Sequence, residues 1–405
     1  MSVDNGPMLT VVAPGFPPQV SGSAILLSNL LSHYKGNVRA IAGYDHYSKS
    51  DLVFLPPCPT RYLVLPRILP RVYERLRRRF SMMLCCSLQR SIRRILAGLG
   101  TNVVLGAFPY DIYLVAAFLA TRELHLPFYA YMHDLWMENM AEGTAAARFA
   151  EKWEPMILRK SRRVLCMTEA MQKHYEKKYG VQTDLLPHSI SELDYPRAPA
   201  GIRPPRMPRP TVLFVGSVSS QMNLDALKVL ASASELLPEG YELLYCTSTD
   251  LATLKRLGIH SSRLQAKYVS RAQVRRLQSE AHVLVAPLSH KNCSINEVRT
   301  VFSTKLLEYL VAGRPIVVFA PEGSYHAESA RKNGWGYVVT EDSPAALAAA
   351  LEKVITDENL AAGLVHGALQ EAQSRNATCH AEQLREWVLA DVQQSSKQDF
   401  FNRDS

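Results

Sequence analysis

The 405-residue sequence is poor in several features, and each shortage narrows what the chain does. Its seven cysteines, including the adjacent Cys85 and Cys86, form neither a CxxC pair nor a disulfide-framework spacing, which points to a reducing compartment. Long apolar runs are missing: the longest apolar region, residues 103–120, is broken by Pro109 and Asp111 and cannot span a bilayer. The first ten residues lack the basic start and apolar stretch of a secretory leader, so the expected location is cytoplasmic and the Asn376-Ala-Thr sequon reads as coincidence. There is no acid cluster for a divalent ion, so no metal or other cofactor is expected, and no internal repeat.

What is present is a globular composition, 47% hydrophobic, in a chain long enough for two domains. A net charge of +9 suggests an anionic partner, with nucleotide, nucleic acid and membrane lipid all open on charge alone. The arginines are concentrated. Residues 61–100 hold ten of them against one acid, Glu74, with Ile68, Leu76, Leu84, Leu88, Ile92 and Leu96 interleaved, which predicts a basic amphipathic helix suited to an anionic membrane surface. A solvated arginine face on an ordinary domain helix is the alternative. No binding module accompanies the charge, so nucleic acid is not the expected partner.

The chain reads as alternating strands and helices. Residues 8–13 predict a first buried strand, followed by a loop with Gly15 and Gly22 that lets backbone approach a ligand, then a helix. Strands are expected at residues 38–42, 61–65 and 102–107 and a helix at 112–123. His133 directly follows the strand PFYAYM and opens a loop containing Asp134, Trp136 and Glu138; a packed tryptophan and capping acids would explain that loop equally well. Thr168 and Gly180 read as the start and stop of a helix. Six prolines at residues 196–210 mark a linker, and at Thr211 the strand, glycine loop and helix pattern restarts through Gly216 and Ser217. Further strands at 242–246 and 282–287 and a helix at 271–280 continue a doubly wound sheet. The expected domains are therefore 1–195, a linker at 196–210, a second domain at 211–378, and a last helix in 379–405 that packs back on the first.

The most informative stretch is FSTKLLEYLVAGRPIVV, residues 302–318. Ser303 predicts an N-cap whose hydroxyl serves the first turn, and Gly313 a left-handed stop. Leu306, Leu307, Leu310 and Val311 form one apolar stripe, and Pro315 leads into a strand buried on both faces. Free N–H groups, the hydroxyls of Ser303 and Thr304, and Lys305 make a seat for a diphosphate, and Glu308 one turn on is placed to accept from vicinal ribose hydroxyls. A core helix with an ordinary Lys305/Glu308 pair accounts for the same residues.

FSTKLLEYLVAGRPIVV resembles the donor-nucleotide motif of GT-B glycosyltransferases, especially family 4 and its relatives. The resemblance implies two Rossmann-like domains around a cleft and retaining transfer of a sugar from a nucleotide sugar to a hydroxyl acceptor, here a membrane-associated, lipid-linked saccharide or polysaccharide precursor. By the same resemblance Ser303, Thr304 and Lys305 meet phosphate, Glu308 the ribose, and Val269 lies where the family holds the base. Gly22, Gly216 and Ser217 fall in donor-side glycine loops. The loop HDLWMEN resembles the HDLW-like loop of some family 4 relatives, which implies a catalytic role for His133 beside the transferred sugar and an acceptor-side place for Asp134 and Trp136. Two family features differ: the glutamate often found eight positions before Glu308 is Thr300, and the phosphate-gripping arginine and lysine of the second glycine loop fall at Ser217 and at Gln221 or Met222. An epimerase of the same fold and a catalytically silent nucleotide-sugar-binding protein remain as alternatives.

Overall fold

The computed structural model of the chain describes residues 6–18, 21–44, 56–64, 70–109, 111–191, 209–219, 222–292 and 294–401. The chain divides into two compact units, residues 1–191 with 376–405, and residues 192–375. The proline-rich segment at 196–210 lies outside the described residues except for its last two, as does Gln221.

The first unit is a seven-stranded parallel sheet in the order β3-β2-β1-β4-β5-β6-β7. Its strands are β1 (Leu9–Val12), β2 (Val38–Tyr44), β3 (Thr60–Val64), β4 (Val103–Phe108), β5 (Phe128–Met132), β6 (Arg163–Cys166) and β7 (Asp184–Leu185). β1, β4 and β5 are buried at every residue, as expected of strands covered by helices on both faces. The helices are α1 (Gly22–Ser32), α2 (Pro70–Leu99), α3 (Asp111–Glu123), α4 (Ala145–Lys160) and α5 (Glu169–Tyr179). Side-chain caps set their starts: Ser21 accepts from the N–H of Ala24 in α1, and Thr168 from that of Met171 in α5, which ends at Gly180 with φ 65°.

The arginine-rich stretch forms the 30-residue helix α2. Its C-terminal half buries Cys85, Leu88, Ile92 and Leu96 at helical spacing, while Arg90, Arg93, Arg94 and Met83 are exposed. The C-terminal helix, Ala377–Phe401, belongs to this unit. Buried Asp391 pins it to the sheet, accepting from Tyr129 on β5 at 2.6 Å and from Arg163 on β6 at 2.9 Å, and Arg163 also lies over the ring of Trp387. Where the chain leaves and re-enters the unit, the N–H of Ala377 donates to the carbonyl of Ile190.

The second unit is a six-stranded parallel sheet ordered β10-β9-β8-β11-β12-β13. It is built from β8 (Thr211–Val215), α6 (Leu224–Glu235), β9 (Glu242–Cys246), α7 (Leu251–Arg256), β10 (Leu264–Lys267), α8 (Arg271–Glu280) and β11 (Val283–Pro287). There follow α9 (Ile295–Thr300), α10 (Thr304–Leu310), β12 (Ile316–Phe319), α11 (Tyr325–Asn333), β13 (Tyr337–Val339), α12 (Pro344–Thr356) and α13 (Glu358–Ser374). One apolar core runs through it, with Phe214, Leu227, Tyr245, Val285, Val317 and Leu351 all fully buried. In both sheets the strand order reverses beside the first strand, between β1 and β4 and between β8 and β11. In open α/β sheets that reversal, at the carboxyl ends of the strands, is where ligands bind.

Candidate active site

In the second unit the carboxyl end of β8 and the start of α10 meet. Leu306, Leu307 and Leu310 are buried beneath α10, and Tyr309 extends to β8, its hydroxyl accepting the N–H of Val215 at 2.8 Å. The next residue, Gly216, has φ 142° and donates its N–H to the carbonyl of Cys246. A Cβ added there would stand 2.7 Å from the Lys305 ammonium, so the backbone favours glycine and any other residue would also displace the end of the lysine side chain. The ammonium also lies 4.8 Å from the centroid of the Phe214 ring, and burial lowers its pKa to about 8. No carboxylate pairs with it among the described residues. Lys305 is half-buried, and a partly desolvated cation without a counter-ion is costly, a cost that an anion beside it would offset.

Ser303 occupies the N-cap position, but its hydroxyl makes no capping bond, contrary to the sequence expectation. Its backbone N–H instead donates to Nε2 of the buried His326 at 3.1 Å. Thr304 opens the helix, partly exposed. Glu308 is half-buried and accepts from Gln278 at 3.3 Å, Gln278 itself being buried on α8. Ser217 is exposed in the loop after β8, which Asn223 braces by donating to the Ser217 carbonyl and accepting the N–H of Ser219. Val269 follows edge strand β10, two strands from β8 or about 10 Å across the sheet. Ser270 behind it closes a capping box with Gln273 on α8. Thr300 is buried and turned back onto its own helix, its hydroxyl donating to the Asn296 carbonyl at 2.9 Å.

In the first unit His133 stands at the carboxyl end of β5, buried, with Nδ1 3.1 Å from the hydroxyl of Ser23 in the first turn of α1. Tyr131 packs edge-on against the imidazole at 4.4 Å, and Nε2 is buried without a hydrogen-bond partner among the described residues. Burial lowers its pKa to about 3, so it is neutral. Gly22, exposed, precedes Ser23 and lies in this unit.

Asp134 is half-buried and desolvation raises its pKa. Trp136, expected on the acceptor side, is fully buried between Phe108 and Phe149, its ring packed into the core. The loop is held from below by two acids. Glu154, fully buried, accepts the N–H groups of Trp136 and Met137. Burial opposes ionisation of Glu138, yet hydrogen bonds from His174 and Lys178 hold its pKa at about 2. Ser23, Glu154, Gln278, Asn223 and His326 were not singled out in the sequence, because nothing in their local spacing announces a long-range partner.

The two reversed parallel sheets, each with a glycine-containing loop at the switch point, define a GT-B type two-domain α/β fold. Residues 46–190 match the profile described as Glycosyltransferase Family 4, and residues 209–357 that described as Glycosyl transferases group 1. The chain belongs to the GT-B glycosyltransferases. Among solved structures it is similar to HepE of Anabaena in complex with UDP and glucose, at 15% identity over 94% of this chain and 98% of that one, TM-score 0.66. It is similar to sucrose-phosphate synthase from Thermosynechococcus elongatus, at 17% identity over 98% and 100%, TM-score 0.68. A glycosyltransferase from Rickettsia africae is 13% identical over 96% and 99%, TM-score 0.66. No curated protein sequence matches.

Proposed function

We propose that the chain is a retaining glycosyltransferase that takes a sugar from a nucleotide sugar, with UDP as carrier, and passes it to a hydroxyl of a lipid-linked saccharide or polysaccharide precursor. The observation that carries this reading is the Lys305 ammonium, with no carboxylate partner among the described residues, seated over Gly216 at the switch point of the second sheet. A diphosphate there gains a charge-assisted contact that strengthens as the leaving group separates. Glu308, one turn further along α10, accepts the ribose hydroxyls, and the backbone around Val269 receives the base. HepE is described in complex with UDP and with UDP-glucose, which supports a uridine carrier. No cofactor enters this reading.

On the first unit, neutral His133 offers its unpartnered Nε2 to the transferred sugar, and Asp134 serves the acceptor side. The exposed Arg90, Arg93 and Arg94 of α2, with the other arginines of its sequence, suit peripheral attachment to the anionic inner face of a membrane. Among the described residues no helix is long and apolar enough to cross one. The test is incubation of the full chain with a panel of nucleotide sugars and lipid-linked acceptors. Acceptor-dependent release of the nucleoside diphosphate and a product keeping the donor's anomeric configuration support the proposal. Release of the diphosphate with an inverted product overturns retention, and no turnover with any pair overturns the donor assignment.

A further inference from the structure

Behind residues 302–305 lies a buried polar side chain that the donor site leaves unexplained. His326, the second residue of α11, accepts the Ser303 N–H on Nε2, which puts its own proton on Nδ1. Nδ1 is buried and has no partner among the described residues. A side chain kept for packing alone would not carry an orphaned N–H, because a buried donor without an acceptor weakens the fold and an apolar residue of similar volume avoids the loss. The bond that His326 does make is therefore the part of it that needs a reason.

That bond acts where α10 begins. Phe302, the residue before the N-cap, sits among Trp335 at 6.1 Å, His326 at 6.0 Å and the Arg375 guanidinium at 3.8 Å from its ring centroid. Glu371 holds Arg375 in turn at 2.8 Å. Lys305 follows Ser303 by two residues, and its ammonium reaches the loop after β8, 2.7 Å from where a Cβ on Gly216 would stand. A small displacement of the start of α10 would drive it into the β8 loop or withdraw it from a ligand.

We propose that His326 is a positioning residue of the diphosphate seat: its Nε2 lone pair, by taking the Ser303 N–H, fixes the start of α10 and with it the Lys305 ammonium. Burial, with Lys305 and Arg375 adding their charges, holds the His326 pKa down at about 3, so the lone pair stays available. The inference rests on the donor reading given above.

The test is calorimetric titration of the full chain with UDP, GDP, ADP, CDP and dTDP, using wild type, His326→Ala, His326→Gln, His326→Asn and each variant combined with Lys305→Met. Glutamine places its carbonyl oxygen near the Nε2 position, whereas asparagine reaches only the Nδ1 position. The diphosphate that wild type binds best is expected to bind about tenfold more weakly to His326→Ala and His326→Asn, and within about threefold of wild type to His326→Gln. On the Lys305→Met background the His326→Ala effect should shrink to within about twofold, since the ammonium it positions is gone. Unchanged affinity in His326→Ala overturns the proposal, as does equal weakening in the glutamine and asparagine variants. If His326→Ala does not fold, the comparison of glutamine with asparagine decides. Failure of wild type to bind any of the five overturns the donor reading itself.

Discussion

The ammonium of Lys305 stands 2.7 Å from the point a Cβ on Gly216 would occupy, so two residues 89 positions apart in sequence share one space at the switch point of the second sheet. Lysine enters because glycine leaves room, and glycine is tolerated because the backbone there has φ 142°. The loop after β8 carries no arginine or lysine among its described residues, and the ammonium beside it comes from α10.

Donor affinity should depend on the charge of Lys305. Its pKa is about 8 in the free protein, and a bound diphosphate raises it, so UDP affinity should be unaffected by this group below pH 8 and fall as pH rises above 8, by at most tenfold per pH unit. Lys305→Met should bind UDP at least ~10-fold more weakly and lose that alkaline slope. Calorimetry from pH 7 to 9.5 checks both, and the same slope in the methionine variant would sink the assignment.

Gly216→Ala should be costly twice. The positive φ strains an alanine by about 1–3 kcal/mol, and the new methyl group displaces the ammonium. Combined with Lys305→Met, only the backbone part should remain, so the two substitutions should cost less together than the sum of their separate effects on melting and UDP affinity. Strict additivity would mean that the close approach is not felt.

Glu308→Ala should lose roughly the 1.5–3 kcal/mol of a charged hydrogen bond from UDP binding. A sharper readout is discrimination: wild type should prefer UDP over its 2′-deoxy analogue, and the variant should not. Equal preference in the two proteins, with the fold intact by circular dichroism, would remove Glu308 from the ribose.

His133→Ala should lower kcat more than it raises the donor KM if Nε2 meets the sugar as charge develops at its anomeric carbon. The stability contribution can be separated. The native pKa of about 3 lies below the ordinary 6.5, so as pH falls from 6.5 towards 3 the unfolded chain takes up a proton that the native one refuses. Wild type should therefore lose stability on acidification, with this group supplying about 1.4 kcal/mol per pH unit that the alanine variant lacks. A variant that changes only this slope and keeps its turnover would make His133 a core histidine.

Liposome co-sedimentation tests α2. Binding should require anionic lipid, weaken as salt rises, and fall when Arg90, Arg93 and Arg94 are changed to glutamine. Equal recovery with neutral liposomes, or none with either, would leave the arginines as a solvated helix face.

The order of strands and helices, the Thr168 and Gly180 ends of α5 and the apolar stripe of α10 were legible in the sequence, because caps, periodicity and buried strands are set by residues a few positions apart. The class of the chain was legible for the same reason, its motif being one unbroken segment. Contacts between distant residues were decided only by the tertiary structure. The pattern HDLW does not say that Trp136 is enclosed by Phe108 and Phe149, or that His133 meets Ser23 across 110 residues. A serine at an N-cap predicts its hydroxyl as the cap, whereas the fold brings His326 to its backbone N–H and the hydroxyl makes no capping bond. Likewise Lys305 and Glu308 read as neighbours on one helix face, and packing sends the first to Gly216 just after β8 and the second to Gln278 on α8. Local propensity fixes which elements form, but the partner of a buried polar group is whichever side chain the sheet order brings within about 3 Å, and that order joins residues the sequence keeps far apart.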